Sequence, residues 1–185
     1  MKKFAIMMMG KTHSGKTTFG ENIVKEINGV VLQTDPINIF LKKEFPADLD
    51  RDKERDGSFR KSSLKVKIYE TIFDHILKTE KFIPVLANSN MFLKMRIKTI
   101  QKLKKHDYNV IGVFLNFSEE FLLKRVKIAK KSTDVLNVSK DFKVLLKKQR
   151  KIFVIPKKEE FDYFFEATDE KEVEVIKQKI IDLVR

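Results

Sequence analysis

The chain has 185 residues, 42% hydrophobic and 35% charged, enough for one globular domain with a substantial core and too apolar for a disordered segment. It contains no cysteine, which excludes disulfide frameworks and thiolate metal sites and points to a reducing, cytoplasmic setting. Lysine and arginine outnumber the acids 39 to 26, and no apolar run approaches the roughly 20 residues that a membrane-spanning helix needs, so no membrane partner is expected.

The opening "MKKFAIMMMG" looks like a signal peptide, but Lys11 follows at once, and 3–9 reads instead as a strand buried on both faces. Residues 16–28 carry Phe19, Ile23 and Ile27 at helical spacing and end near Asn28-Gly29. Residues 30–34 are a second strand that Asp35-Pro36 stops, and a helix follows through Phe45. Residues 47–60 are almost purely polar and read as a mobile loop. A helix over 62–78, a strand over 82–88, a helix over 91–105 and a strand over 108–116 come next. Ser118 with Glu119 and Glu120 caps another helix. A helix over 139–152, a fifth strand over 163–168 and a helix over 169–184 close the chain. Strands alternating with helices predict a single α/β domain over 1–185: a five-stranded, mostly parallel sheet with helices on both faces.

The first junction carries the chemistry. "GKTHSGKT" at 10–17 lies between a strand and a helix, which is the setting of the P-loop. Gly10 and Gly15 let the backbone turn its N–H groups inward. Lys11, Thr12, His13 and Ser14 supply amides between them, and the following helix adds its N-terminal dipole. Lys16 would reach the β- and γ-phosphates of ATP, Thr17 would offer its hydroxyl to Mg²⁺, and Thr18 would lie near the α-phosphate. His13 occupies a variable position and matters through its backbone. Asp35, at the end of the second strand, stands where an acceptor-side carboxylate belongs.

The chain resembles the small ATP-binding kinases related to phage polynucleotide kinase and zeta-toxin-type kinases. The likeness runs through "GKTHSGKTTF", "LQTDPINIF", "PVLANSNMFLKMR", "VIGVFLNFSEEFLLKR" and "IPKKEEFD". It implies the P-loop NTPase fold and a helical lid over about 124–140. It also implies that Asp35 takes the proton from an attacking hydroxyl. Arg125, Lys127, Lys130 and Lys131 would then be lid cations over the phosphates. Where that family carries an aspartate after the third strand, this chain has Asn88, followed by Ser89, Asn90 and, in the next helix, Arg96. An amide can still bind an oxygen-loving cation weakly, so Asn88 joins Thr17 and Asp35 as a metal-ligand candidate. Asn38 stands where the 5′-end kinases have an arginine for the acceptor's phosphate, and Glu160 replaces a glycine.

Other features carry less chemistry. "DLDRD" at 48–52 has Lys53 where a calcium loop needs glycine. His75 and His106 lie in lysine-rich helical surroundings without acid partners. The 16 phenylalanines fall mainly at core spacing, with Phe40, Phe45 and Phe59 placed to line an acceptor cleft. Residues 124–151 hold eleven basic residues and two acids, a stretch that serves a lid or a nucleic-acid contact. Two readings stand: a kinase acting on a nucleic-acid end or a nucleoside-type small molecule, or a weakly catalytic ATP- or GTP-binding module with a regulatory role.

Overall fold

The computed structural model describes residues 2–46, 63–128 and 142–185. Strand β1 (Lys3–Gly10) is buried over its last seven residues. It pairs in parallel with β3 (Ile83–Leu86) on one side and β4 (Tyr108–Leu115) on the other. Strand β2 (Gly29–Leu32) adds outside β3, and β5 (Tyr163–Ala167) outside β4, giving the order β2-β3-β1-β4-β5. Every pairing among the described strands is parallel, so each strand ends at the same edge of the sheet.

Alternation along β1 makes two cores. Phe4, Ile6 and Met8 face the cluster that contains Phe19 and Ile23 of helix α1 (Lys16–Ile23) and Ile176, Ile180 and Ile181 of the last helix, Glu170–Val184. Ala5 and Met7 face Phe73, Ile76 and Leu77 of a helix over Leu64–Thr79 and Ile100 and Leu103 of a helix over Leu93–Lys104. Helix α2 (Asp35–Glu44) packs Ile37 and Leu41 on Ile68 and Tyr69 of the Leu64–Thr79 helix. In chain order the helices after α2 are α3 (Leu64–Thr79), α4 (Leu93–Lys104), α5 (Glu119–Ile128), α6 (Phe142–Ile152) and α7 (Glu170–Val184). The arrangement has three layers, α/β/α.

The boundaries differ from the sequence reading in two informative places. Helix α1 stops at Ile23 instead of residue 28, because its end tightens into i→i+3 bonds from Lys25 N–H to Asn22 and from Glu26 N–H to Ile23. Ile27 is nonetheless buried. Asp35 does not end β2, which stops at Leu32. It opens α2, with Thr34 before it and Pro36 in the first turn, where a missing N–H costs nothing. The Ser118 cap is present, its Oγ accepting from Phe121 N–H at 3.2 Å. The polar loop over 47–60 and most of the expected lid, including Lys130 and Lys131, lie outside the described residues.

One ion pair ties the layers together beside the strand ends. Arg96 on α4 is fully buried and donates through Nε and Nη2 to both Glu160 oxygens, at 2.7 and 2.9 Å. Its Nη1 donates to the carbonyls of Asn90 and Val154. Glu160 also accepts from Lys157 N–H at 2.8 Å. Burial pushes the Glu160 carboxyl up, but the Arg96 and Lys157 hydrogen bonds outweigh it and hold the group below its ordinary value of 4.5. Its contribution is therefore present above that value and fades as acid protonates the folded carboxylate. Glu160→Gln keeps the shape but leaves Arg96 without a counter-charge, and we expect a loss of about 3–5 kcal/mol. Urea unfolding at neutral pH would measure it; an unchanged midpoint would show that Arg96 is neutralised by another group.

Candidate functional site

The loop after β1 is built by two glycines that do different things. Gly10 has φ +149, and a Cβ there would lie 2.6 Å from Ser14 Oγ and 2.9 Å from the Leu115 carbonyl. Gly15, at φ +96, precedes α1 and brings no side-chain cap, so no side chain competes for the first-turn N–H groups. His13 is also left-handed, at φ +60. Its imidazole lies 3.1 Å from Thr12 Oγ1. Burial first, then the charges of Lys16 and Arg125, lower its pKa and favour the neutral ring.

Lys16 folds back into the loop, donating to the Lys11 carbonyl at 2.7 Å and to Ser14 Oγ at 3.3 Å. Burial of its ammonium end lowers its pKa to about 8, against an upward pull from the Asp35 carboxylate. That pull places Asp35 within electrostatic reach of Lys16 across the crevice at the strand ends. Thr17 Oγ1 donates to Gln33 Oε1 at 3.1 Å. Asn88 Oδ1 accepts from both the N–H and the hydroxyl of Thr34, at 3.0 and 3.2 Å, and its Nδ2 donates to Tyr69 Oη. Asn88 thus fixes the turn that carries Asp35. Asn90, left-handed at φ +46, donates to the Met8 carbonyl at 2.7 Å and holds the β3 exit against β1. Asn38 is buried one turn along α2 from Asp35, and its Oδ1 has no hydrogen-bond partner among the described residues.

Arg125 reaches the loop from α5. Its Nη1 donates to the His13 carbonyl, and its guanidinium pairs with Glu170 and stacks 4.8 Å from the Phe121 ring centroid. Beneath it lies a cleft of about 230 Å³ between the loop, α1 and α7, lined by Thr18, Asn22, Phe117, Glu170 and Lys177 among others. A larger hollow of about 600 Å³ sits at the opposite edge of the sheet, around Lys3 and Tyr108, and holds none of these groups.

The structure therefore brings Gly10 to Thr18, Asp35 and Arg125 to one edge of the sheet, with Asn88 close behind. Four contributors escaped the sequence reading: Gln33, Tyr69, Glu170 and Gln149, whose Oε1 accepts from Thr12 N–H at 2.7 Å. Gln33 adjoins the motif around Asp35, which was a usable signal. Gln149 is 137 residues from its partner in a run of lysines, and nothing in the sequence marks it.

No family model matches the chain, and no curated protein matches it. Solved structures do. A candidate kinase from Chloroflexus aurantiacus J-10-fl superposes with a TM-score of 0.69 at 16% identity, covering 98% of each chain. Kti12 from Chaetomium thermophilum, solved with ADP-AlF3, gives 0.63 at 11% identity over 98% of this chain and 99% of its own. The APS kinase of Mycobacterium tuberculosis, solved with AMPPNP and APS, gives 0.57 at 13% identity over 99% and 98%. At these identities the likeness is one of fold: the described residues have the P-loop NTPase fold of these structures. No helix among the described residues is long and apolar enough to cross a membrane.

The Lys16 pKa gives a test that needs no ligand. In the unfolded chain Lys16 titrates near 10.5, in the folded protein near 8. Between those values the unfolded state binds more protons, so this group adds stability as pH rises through the window. Lys16→Met removes the limb. We expect the melting-temperature difference, wild type minus Lys16→Met, to grow from pH 8 to 10.5. A difference flat with pH would mean that the ammonium is not enclosed.

Proposed function

We propose that the protein is an ATP-dependent kinase that transfers the γ-phosphoryl group of ATP to a hydroxyl acceptor. The observation that carries this is the placement of Asp35, at the start of α2, on the sheet edge that carries the phosphate loop and Lys16. Asp35 is an acceptor-side carboxylate and Lys16 a phosphate-side cation, following β2 and β1, which are parallel and separated by β3 in a fold shared with P-loop kinases. The loop 10–18 binds the phosphates through amides other than that of Thr12, which Gln149 engages, and Lys16 keeps one donor on the Lys11 carbonyl while its others reach the β- and γ-phosphates. Arg125 adds positive charge at the loop. The acceptor oxygen attacks the γ-phosphorus, the bond to the β–γ bridging oxygen breaks, ADP leaves, and Asp35 receives the acceptor's proton.

Mg²⁺ fits the residues present. The donors at hand are oxygens, Thr17 Oγ1 and the Asp35 carboxylate, and no group of three acids or histidines among the described residues offers an all-protein cage. Few protein ligands plus substrate phosphates is the usual magnesium arrangement. Thr17 and Asp35 would hold the ion, which supplies charge neutralisation at the phosphates. Asn88 contributes by positioning, since both ends of its amide are engaged. Asn38 brings no positive charge to the acceptor side, which argues against a nucleic-acid acceptor held there by its phosphate.

The second reading, a nucleotide-binding module with little transfer, draws on Asn88 in place of a carboxylate. Incubation with γ-labelled ATP and a panel of nucleosides, sugars, antibiotics and oligonucleotides separates the two. Asp35→Asn sharpens the test. A general base acts mainly on the transition state, so we expect transfer to fall about 10²–10⁴-fold with ATP affinity little changed. A variant with wild-type transfer and a lowered melting temperature would reduce Asp35 to a residue of the first helical turn.

A further inference from the structure

Two hydrogen bonds described above meet on one peptide unit. The Lys11 carbonyl, which accepts from Lys16 Nζ, and the Thr12 N–H, which donates to Gln149 Oε1, belong to the same peptide, and both bonds are 2.7 Å. The chain has no cis peptide bond among the described residues, so the oxygen and the hydrogen of this unit point in opposite directions. Lys16 holds one edge from inside the loop; Gln149 holds the other from outside. A backbone N–H can only donate, so the carbonyl end of the Gln149 amide must face it.

Gln149 comes from a well-anchored element. It is 7% exposed, on α6, where Leu146 is buried in the core. Just past α6, Phe153 stacks on Phe114 of β4 at 5.6 Å, and Val154 N–H donates to the Met91 carbonyl. Within the loop the Lys11 carbonyl also accepts from Ser14 N–H, at a longer 3.3 Å, and Arg125 holds the carbonyl of His13; the N–H side of the peptide is held by Gln149. Rotation of the Lys11–Thr12 peptide would withdraw the carbonyl from Lys16 and leave the ammonium without its strongest partner.

We infer that Gln149 is a positioning residue for Lys16. By accepting from Thr12 N–H it fixes the peptide plane whose carbonyl aims the ammonium at the phosphates. This rests on the kinase reading for its ligand, ATP, but not for the pinning. It also gives α6, the element that follows the basic segment, a direct hold on the phosphate loop.

Two variants test it. Gln149→Met keeps the length and loses the acceptor; Gln149→Glu keeps an acceptor oxygen. In Gln149→Met, hydrogen exchange at the Thr12 amide should accelerate at least about tenfold while Met9 in β1 stays protected. ATP and ADP should bind about five- to tenfold more weakly by calorimetry, the effect of about one net hydrogen bond. In Gln149→Glu the Thr12 amide should stay protected. Wild-type ATP affinity in a folded Gln149→Met protein overturns the assignment, and so does loss of Thr12 protection in Gln149→Glu. If Gln149→Met does not fold, Gln149→Glu decides alone: a protected Thr12 amide with retained ATP binding supports the pinning, and loss of either overturns it. Wild-type protein that binds no ATP overturns the kinase reading instead, and the Thr12 exchange rates still decide whether Gln149 holds the loop.

Discussion

The site depends on the way β1 ends. This strand is paired on both sides and covered on both faces, so its direction is fixed to the last residue. At Gly10 the chain must leave the sheet, and the Leu115 carbonyl and Ser14 crowd the space where a side chain would begin. Only a residue without Cβ turns there without displacing them. That turn delivers Ser14 to burial, Gly15 to a left-handed conformation and the first amides of α1 to the crevice. Asp35 reaches the same edge because β2 is parallel to β1, two strands away through β3. The glycine loop and Asp35 are thus related by strand direction alone, with no contact required between them.

Electrostatics set the balance of charge in the loop. A P-loop gathers N–H dipoles and a lysine around a hollow and supplies little negative charge of its own. Here the lysine uses a loop carbonyl, a hydroxyl and the field of Asp35, and its pKa is still about 8. Arg125 adds a second cation at the His13 carbonyl, balanced at its far side by Glu170. The loop is folded but short of negative charge, which is the condition under which a polyphosphate gains most from entering. The overall excess of positive charge has a local meaning here, at least at this edge.

The sequence made the strands and the phosphate loop legible because both depend on local pattern. A continuous apolar run can hide only between two strands under two helical layers, and the glycine spacing of the loop reports backbone geometry directly. The same reasoning placed Asp35 at the right edge but in the wrong element. Proline in a first helical turn and proline after a strand look alike until the hydrogen bond from Asn38 N–H to the Thr34 carbonyl is seen. Asn88 was read as a metal candidate from its place after β3. Its partners, Thr34 and Tyr69, lie 54 and 19 residues away, and such pairings have no local signature. Glu160, where the resembled kinases carry glycine, is explained by Arg96: the carboxylate answers a cation buried in a neighbouring layer.

The placement of β1 at the centre of the sheet has a consequence for how the chain is made. Lys3 pairs with Tyr108, so β1 is synthesised long before the strand that covers its second edge. Until then Phe4 to Met9 form an unbroken apolar ribbon with unpaired amides. Contacts so distant in sequence slow folding and lengthen the exposure of such edges to other chains. The loop that β1 carries takes its working shape only after β4 arrives, because Leu115 is one of the walls against which Gly10 turns. The phosphate loop is thus translated well before the strand that completes its geometry. A polyphosphate present at that moment would act as a folding template for it.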